Sequence, residues 1–455
     1  MLPSRGIGRR RMLLLAAGAC CIPLSAGAQS GGNLPVRSVK RLTRNGAGRQ
    51  DGTDWPNAWP VARLSKGLAT AAPGDVFLIG ASQDDRTAIA IDHGQIAIKT
   101  SGSQGHPITV SALEGAGVGE SADAAPPSFE SSVPWTIERV ARRKGSPCYL
   151  ALTNGASYLR LTGFQVEGTS ADGLMKFRAR KTGSNSFQDV QISDIDARNV
   201  GRLIETDRNA FVSDMQVEDC RARAIMRGFA RFHNLSNAVF RRLDLDAEGI
   251  DGGGKNVCQL ISIGSGANIL FEDVILKNAV NARWLEDGSQ GYVQGDGIVC
   301  ERKTSDITLR KCHGSGMGDA AFDLKSTRVL IEDSGSDSCK FGARVWSEGD
   351  NMIRRSHFRN PVTRGSTKGA CIQASGTLVI HDTILAAGGD TSAIMLHRLK
   401  TGTAPVVHMY GGAINIDNQA ALARSSDAGT LELHDVAVNG TLRSRRYDLN
   451  NNETR

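Results

Sequence analysis

Two acidic segments carry the densest chemistry in the chain: Gly295-Asp296-Gly297-Ile298 and, 23 residues after Asp296, Gly318-Asp319-Ala-Ala-Phe-Asp323-Leu-Lys325-Ser326. If one turn of a repeating structure separates them, Asp296, Asp319 and Asp323 meet, and such hard oxygen ligands suit calcium. The plain alternative is a solvated turn whose carboxylates accept from neighbouring backbone N–H groups. Lys325 and Arg344 follow on adjacent segments. Each cation disfavours charging the other, which would push Lys325 toward the neutral form a base needs. Arg344 stays protonated and can grip a carboxylate at two points. Trp346 can stack on a sugar ring, Gln373 falls on the next segment, and Glu301 with Asp323 is the one carboxylate pair that acid–base hydrolysis could use. Further along lie Lys176, Arg178, Arg202, Glu205, Arg227, Arg231 and His233, either flanking subsites for an acidic ligand or ordinary surface charges.

These residues must be positioned by a repeated element. From residue 157 onward, two apolar positions two apart are followed by a polar pair and an apolar residue: Leu159-Arg-Leu-Thr-Gly-Phe164, Val190-Gln-Ile-Ser-Asp-Ile195, Ile269-Leu-Phe-Glu-Asp-Val274, Ile307-Thr-Leu-Arg-Lys-Cys312, Leu378-Val-Ile-His-Asp-Thr383 and Leu431-Glu-Leu-His-Asp-Val436. Period-two alternation marks short strands, and a second series, including Gly297–Arg302, Phe322–Ser326 and Ala343–Ser347, lies midway between the first. The pattern predicts an all-β chain, a right-handed parallel β-helix (solenoid) of about ten or eleven coils. Leu161, Ile192, Phe271, Leu309, Ile331, Ile380 and Leu433 should then stack inside. A TIM barrel or Rossmann fold would lack its helices, and the units are short for propeller blades.

Strand stacking turns equivalent positions into rows. With Phe322, Leu324, Ala343 and Val345 taken inward, Val299 and Glu301, Asp323 and Lys325, Arg344 and Trp346, and then Gln373 point outward. The N-terminal segment reads differently. Asp51-Gly-Thr-Asp-Trp55 precedes a stretch of helical spacing, Ala58–Ala71, and then Pro73-Gly-Asp75, so a capping region over about 44–80 with an amphipathic helix at 61–71 is expected.

With this entry and these coils the chain resembles the secreted right-handed β-helix proteins that include many polysaccharide lyases. Its acidic segments look most like those of family-nine pectate lyases. There a Gly-Asp-Gly segment and an Asp-Asp-Gly-x-Asp segment hold a catalytic calcium. Asp296, Asp319 and Asp323 match three of those acids, and Ala320 stands where the fourth would be. The resemblance implies cleavage of an acidic, uronate-containing polysaccharide by β-elimination, with calcium as cofactor and a lysine base from a later coil, where Lys340, Arg344 and Lys368 lie. The alternatives are a β-helix that only binds polysaccharide, during export or at the cell surface, and a glycoside hydrolase on the same fold. The paired aspartates and Arg-x-Lys segment of polygalacturonases are absent, as is the Asp-Pro-His segment of alginate epimerases.

Arg10-Arg-Met-Leu-Leu14, the apolar run Met12–Leu24 and Ala26-Gly-Ala28 form a twin-arginine signal peptide over 1–28, which predicts a periplasmic or secreted single domain over 29–455. The apolar run is too short to span a bilayer. The chain carries a formal charge of +7, but residues 1–28 hold four Arg and no acid, which leaves 50 basic against 47 acidic residues. So small an excess argues against nucleic acid as a partner. The seven Cys after residue 28 show no CxxC spacing, so no zinc or redox motif is indicated, and most are expected as buried apolar residues with at most one disulfide. A monomer is expected.

Overall fold

The polar pair inside each repeat marks a corner. Its second residue takes a positive φ at Asp194 (53°), Asp273 (53°), Lys311 (52°), Asp382 (45°) and Asp435 (55°). That left-handed conformation costs most residues energy and is best tolerated by Gly, Asn and Asp, which explains the recurring Asp. Each repeat is therefore two short strands joined by a bend, as in Val190–Ser193 and Asp196–Arg198 around Asp194.

The computed structural model describes residues 36–43, 45–80, 89–90, 96–112, 135–138, 148–167, 173–182, 184–250, 257–281, 291–399, 402–450 and 452–454. Successive coils pair in parallel in three stacks. One runs from Asp75–Ile79 through Leu159–Thr162 to Ala428–Val438 and holds the first strand of each repeat. The second holds the strand after the corner, as where Ile275–Lys277 pairs with His313–Ser315. The third, which carries the acidic segments, passes through twelve strands from Ile96–Ile98 to Ala421–Ser425. The result is a parallel β-solenoid with three strands per coil. Strands before Leu159, where the repeat is weak, already belong to the stack.

Leu161, Ile192, Phe271, Leu309, Ile331, Ile380 and Leu433 all lie in one buried core. Phe240 and Phe271, neighbours on adjacent coils, stack with centroids 5.1 Å apart. Each fully buried large apolar side chain contributes about 1.5–3 kcal/mol. At the N-terminal side a 3-10 turn, Val61–Arg63, leads into the helix Leu64–Thr70, which buries Leu64, Gly67 and Leu68. A Cβ at Gly67 would lie 2.6 Å from the Phe77 ring, so only glycine lets the helix approach so closely. At the other end Thr441–Asn450 and Glu453–Thr454 turn back and pair antiparallel.

Cys220, Cys258, Cys300, Cys312, Cys339 and Cys371 are free and buried. Burial pushes the Cys220, Cys258, Cys312, Cys339 and Cys371 thiols up to about 12, so they act as small apolar residues. The signal peptide lies outside the described residues. Among the described residues no helix is long and apolar enough to cross a membrane.

Candidate functional site

The third stack carries the site. Its outward row runs Lys176, Glu205, Arg231, Ser262, Val299, Asp323, Arg344, Gln373, Met395, Arg424, each paired with the next. Successive members sit about 4.8 Å apart. The register thus places Phe322, Leu324, Ala343 and Val345 inward, as the alternation predicts. Outward does not mean exposed, however. Val299 is fully buried and Gln373 nearly so, because neighbouring coils cover this row.

Glycine brings the acidic turn in. A Cβ at Gly295 (φ 123°) would lie 2.2 Å from the Ala279 carbonyl oxygen, and one at Gly297 would lie 2.4 Å from that of Ala321. With the backbones this close, Asp296, Asp319 and Asp323 are 6%, 5% and 5% exposed. Asp296 Oδ1 accepts the Ala320 N–H (3.1 Å). Asp319 accepts from the Tyr292 hydroxyl (2.8 and 2.9 Å) and from Arg344 Nη1 (2.8 Å), with Lys340 Nζ 3.7 Å away. Asp323 accepts from Trp346 Nε1 (2.5 Å) and pairs with Lys325 Nζ (3.3 Å), which also donates to Glu301 (3.0 Å). Burial, then repulsion from Asp319 and Asp323, holds the Asp296 carboxyl well above the usual carboxylate range.

Asp319 and Asp323 already have protein cations as partners, a poor fit to calcium, whereas Asp296 accepts only the Ala320 N–H. Among the described residues, the one set of three or more His, Cys, Asp or Glu ligand atoms within 4.8 Å of one another is elsewhere in the chain. Ala320, where the resemblance would need a fourth acid, packs with Phe341 and Ala370 in a small apolar cluster. Arg344 supplies the charge that a calcium ion would supply. Adding calcium is therefore expected to leave the Tm unchanged. A rise that Asp319→Ala removes would show that calcium displaces Arg344 from Asp319.

The two cations differ from their expected state. Their side chains are only 23% (Lys325) and 11% (Arg344) exposed, not solvent-facing. Burial opposes the Lys325 charge, yet Asp323 and Glu301 outweigh it and raise its pKa, so Lys325 is held as an ammonium. Burial likewise opposes the Arg344 charge, and Asp319 and Asp323 outweigh it. The guanidinium lies 4.2 Å from the Trp346 ring centroid, so part of the ring surface intended for a sugar is occupied by Arg344. Lys340 is fully buried, with Nζ 3.5 Å from the Tyr292 ring centroid, and burial pulls its pKa down. Arg231 is exposed and His233 half-buried on the same face, several coils toward the N-terminus.

Two residues of the site were not singled out in sequence. Tyr292 sits on a connection without periodicity, and nothing local marks it. His397 was legible, because it directly follows a strand of the same series, Ser392–Leu396, and extends the row of Lys325 and Trp346. Its ring meets Trp346 edge-on at 5.7 Å and its Nδ1 lies 2.9 Å from the Ser426 hydroxyl. Burial, and then the Arg344 charge, lower its pKa, so the imidazole is neutral at neutral pH. The face therefore combines fixed cations, a buried acid with a raised pKa and a neutral imidazole.

No family model matches the sequence, and no curated protein matches it. Among solved structures the chain is similar to a mannuronic acid specific polysaccharide family 6 lyase enzyme from human gut microbiota. The two share 9% identity with a TM-score of 0.50, over 85% of this chain and 83% of the other. Pectate lyase Pel9A matches at 13% identity and a TM-score of 0.38, over 91% of this chain and 83% of the other. PfbA, a surface adhesin of Streptococcus pneumoniae, matches at 10% and 0.38, over 73% and 82%. At such identities likeness speaks to architecture. The chain shares its overall fold with the family 6 lyase, and the third stack of this chain's own parallel β-solenoid carries a charged, partly enclosed face.

Proposed function

We propose that the protein is a periplasmic or secreted polysaccharide lyase that cleaves a uronate-containing polymer by β-elimination. One observation carries the reading: within four successive coils of a single face, the Lys325 ammonium, the Arg344 guanidinium and the His397 imidazole gather around the Trp346 indole. The chemistry needs a neutralised carboxylate, a base for the C5 proton and an acid for the leaving oxygen. Lys325, kept protonated by Asp323 and Glu301, suits the carboxylate or the leaving oxygen rather than the proton abstraction that its type suggests. His397, kept neutral, suits the base. Arg344 fixes the positive field and sets the orientation of Trp346. Glu301, Gln373, Arg231 and His233 line the same face along the polymer axis.

In the step itself, the base takes the C5 proton, the electron pair forms the C4–C5 double bond, and the glycosidic C4–O bond breaks. The departing oxygen accepts a proton. The hydrolase alternative would use Glu301 and Asp323, which Lys325 bridges. The purified mature protein incubated with a panel of acidic polysaccharides is expected to generate the ultraviolet absorbance of an unsaturated uronate end. New reducing ends without that absorbance would identify a hydrolase. Retention on the polymer with neither product would identify a binding protein.

A further inference from the structure

The C-terminal coils carry a second chemical cluster, on the first stack and away from the acidic face. Along its outward side acids and arginines alternate coil by coil: Glu218, Arg241, Glu272, Arg310, Glu332, Arg354. The row then changes character to His381, Tyr410 and His434. Those rings stack in order, His381 on Tyr410 at 5.1 Å and Tyr410 on His434 at 4.5 Å. Beside them His408 pairs with Glu432 across the same two strands, Val406–Tyr410 and Ala428–Val438.

We propose that His408, Glu432 and His434 form a binding site for a divalent transition metal of the zinc class, clipping the last two coils together. Glu432 Oε2 lies 3.0 Å from His408 Nδ1 and 3.7 Å from His434 Nε2. The three ligand atoms all lie within 4.8 Å of one another. In a tetrahedral zinc site with bonds of about 2.0–2.1 Å, ligand atoms stand about 3.3 Å apart. The observed separations bracket that edge, so small side-chain rotations admit the ion.

Three further features suit a metal. His434 Nε2 is buried without a hydrogen-bond partner, so in the Nδ1–H tautomer its lone pair is available to a cation. Stacking on Tyr410 fixes the plane of its ring before any ion arrives. Glu432 Oε1 is held by Arg446 Nη1 at 2.9 Å, which leaves Oε2 as a single ligand and orients it. Two imidazoles and one carboxylate form a borderline-soft set that favours zinc over calcium or magnesium. The site is partly open, with side-chain exposures of 28%, 21% and 42% for His408, Glu432 and His434, so water completes the coordination.

Zinc titrated calorimetrically into the metal-free full chain is expected to bind one-to-one and to raise the Tm. Cobalt(II) in its place should show the intense visible bands of a tetrahedral site. His408→Ala and His434→Ala should each abolish that binding, whereas His313→Ala should leave it intact. Because the histidines lie on the outer face, circular dichroism of the variants should match the parent while zinc no longer raises their Tm above the metal-free value, which separates lost ligation from lost folding. One-to-one binding that survives both substitutions, or no binding by the parent at neutral pH, would overturn the assignment.

Discussion

Arg344→Ala is expected to reduce turnover by a factor of about 100 or more and also to destabilise the protein by about 3–5 kcal/mol, the range for removing one partner of a buried ion pair. The side chain is 11% exposed and donates to Asp319; without it the cation left beside Asp319 is Lys340, at the longer distance of 3.7 Å, while Lys325 is engaged by Asp323 and Glu301. Without Arg344, three nearly buried acids face one another with less compensation. The Asp296 carboxyl is raised in the fold already. A raised acid favours the folded state while it is protonated, and that contribution is lost as pH rises through the folded pKa. Arg344 lowers the Asp296 pKa, so removing it raises that acid further, and the Tm deficit of the variant should grow as pH rises above the range where Asp296 is protonated and shrink as pH falls. A deficit that is independent of pH would mean that packing on Trp346 and Phe341, not charge, is what Arg344 contributes.

His397→Ala should reduce turnover by about 100-fold or more, with a stability cost of only about 1 kcal/mol, since the residue makes one hydrogen bond at the edge of the site. The pH profile gives the sharper test. The His397 pKa is lowered, so its basic form is present at neutral pH and is lost as pH falls through that lowered value. The acid limb of kcat/KM should therefore lie below the ordinary imidazole range and vanish in the variant. Lys325 has a raised pKa, so a mechanism using it as base would instead gain rate through the alkaline range. Lys325→Ala, which removes a held ammonium, should lower activity without moving the acid limb. An acid limb that persists in His397→Ala would place the base elsewhere, with Lys340, Arg231 and His233 the next residues to replace.

Much of this architecture is local information. Alternation at period two assigns each side chain to one of two faces, and the recurring Asp supplies the left-handed corner, so the coils, the core from Leu161 to Leu433 and the row of Asp323, Arg344 and Gln373 follow from residue order. The glycines around Asp296 likewise announce close backbone approach. Tertiary structure alone decided the state of the charges. Alternation names the face of Lys325 and Arg344 but not what covers it, and a pKa depends on the nearest groups from other coils. Asp323 and Glu301 both contact Lys325, at 3.3 and 3.0 Å, so the lysine is held charged rather than neutral. Asp319 finds Arg344 and Tyr292, and the His397 pKa is lowered because the coils bury the ring and bring it near the Arg344 charge. Sequence order determines which residues share a row, whereas only the packed coils determine which of them touch.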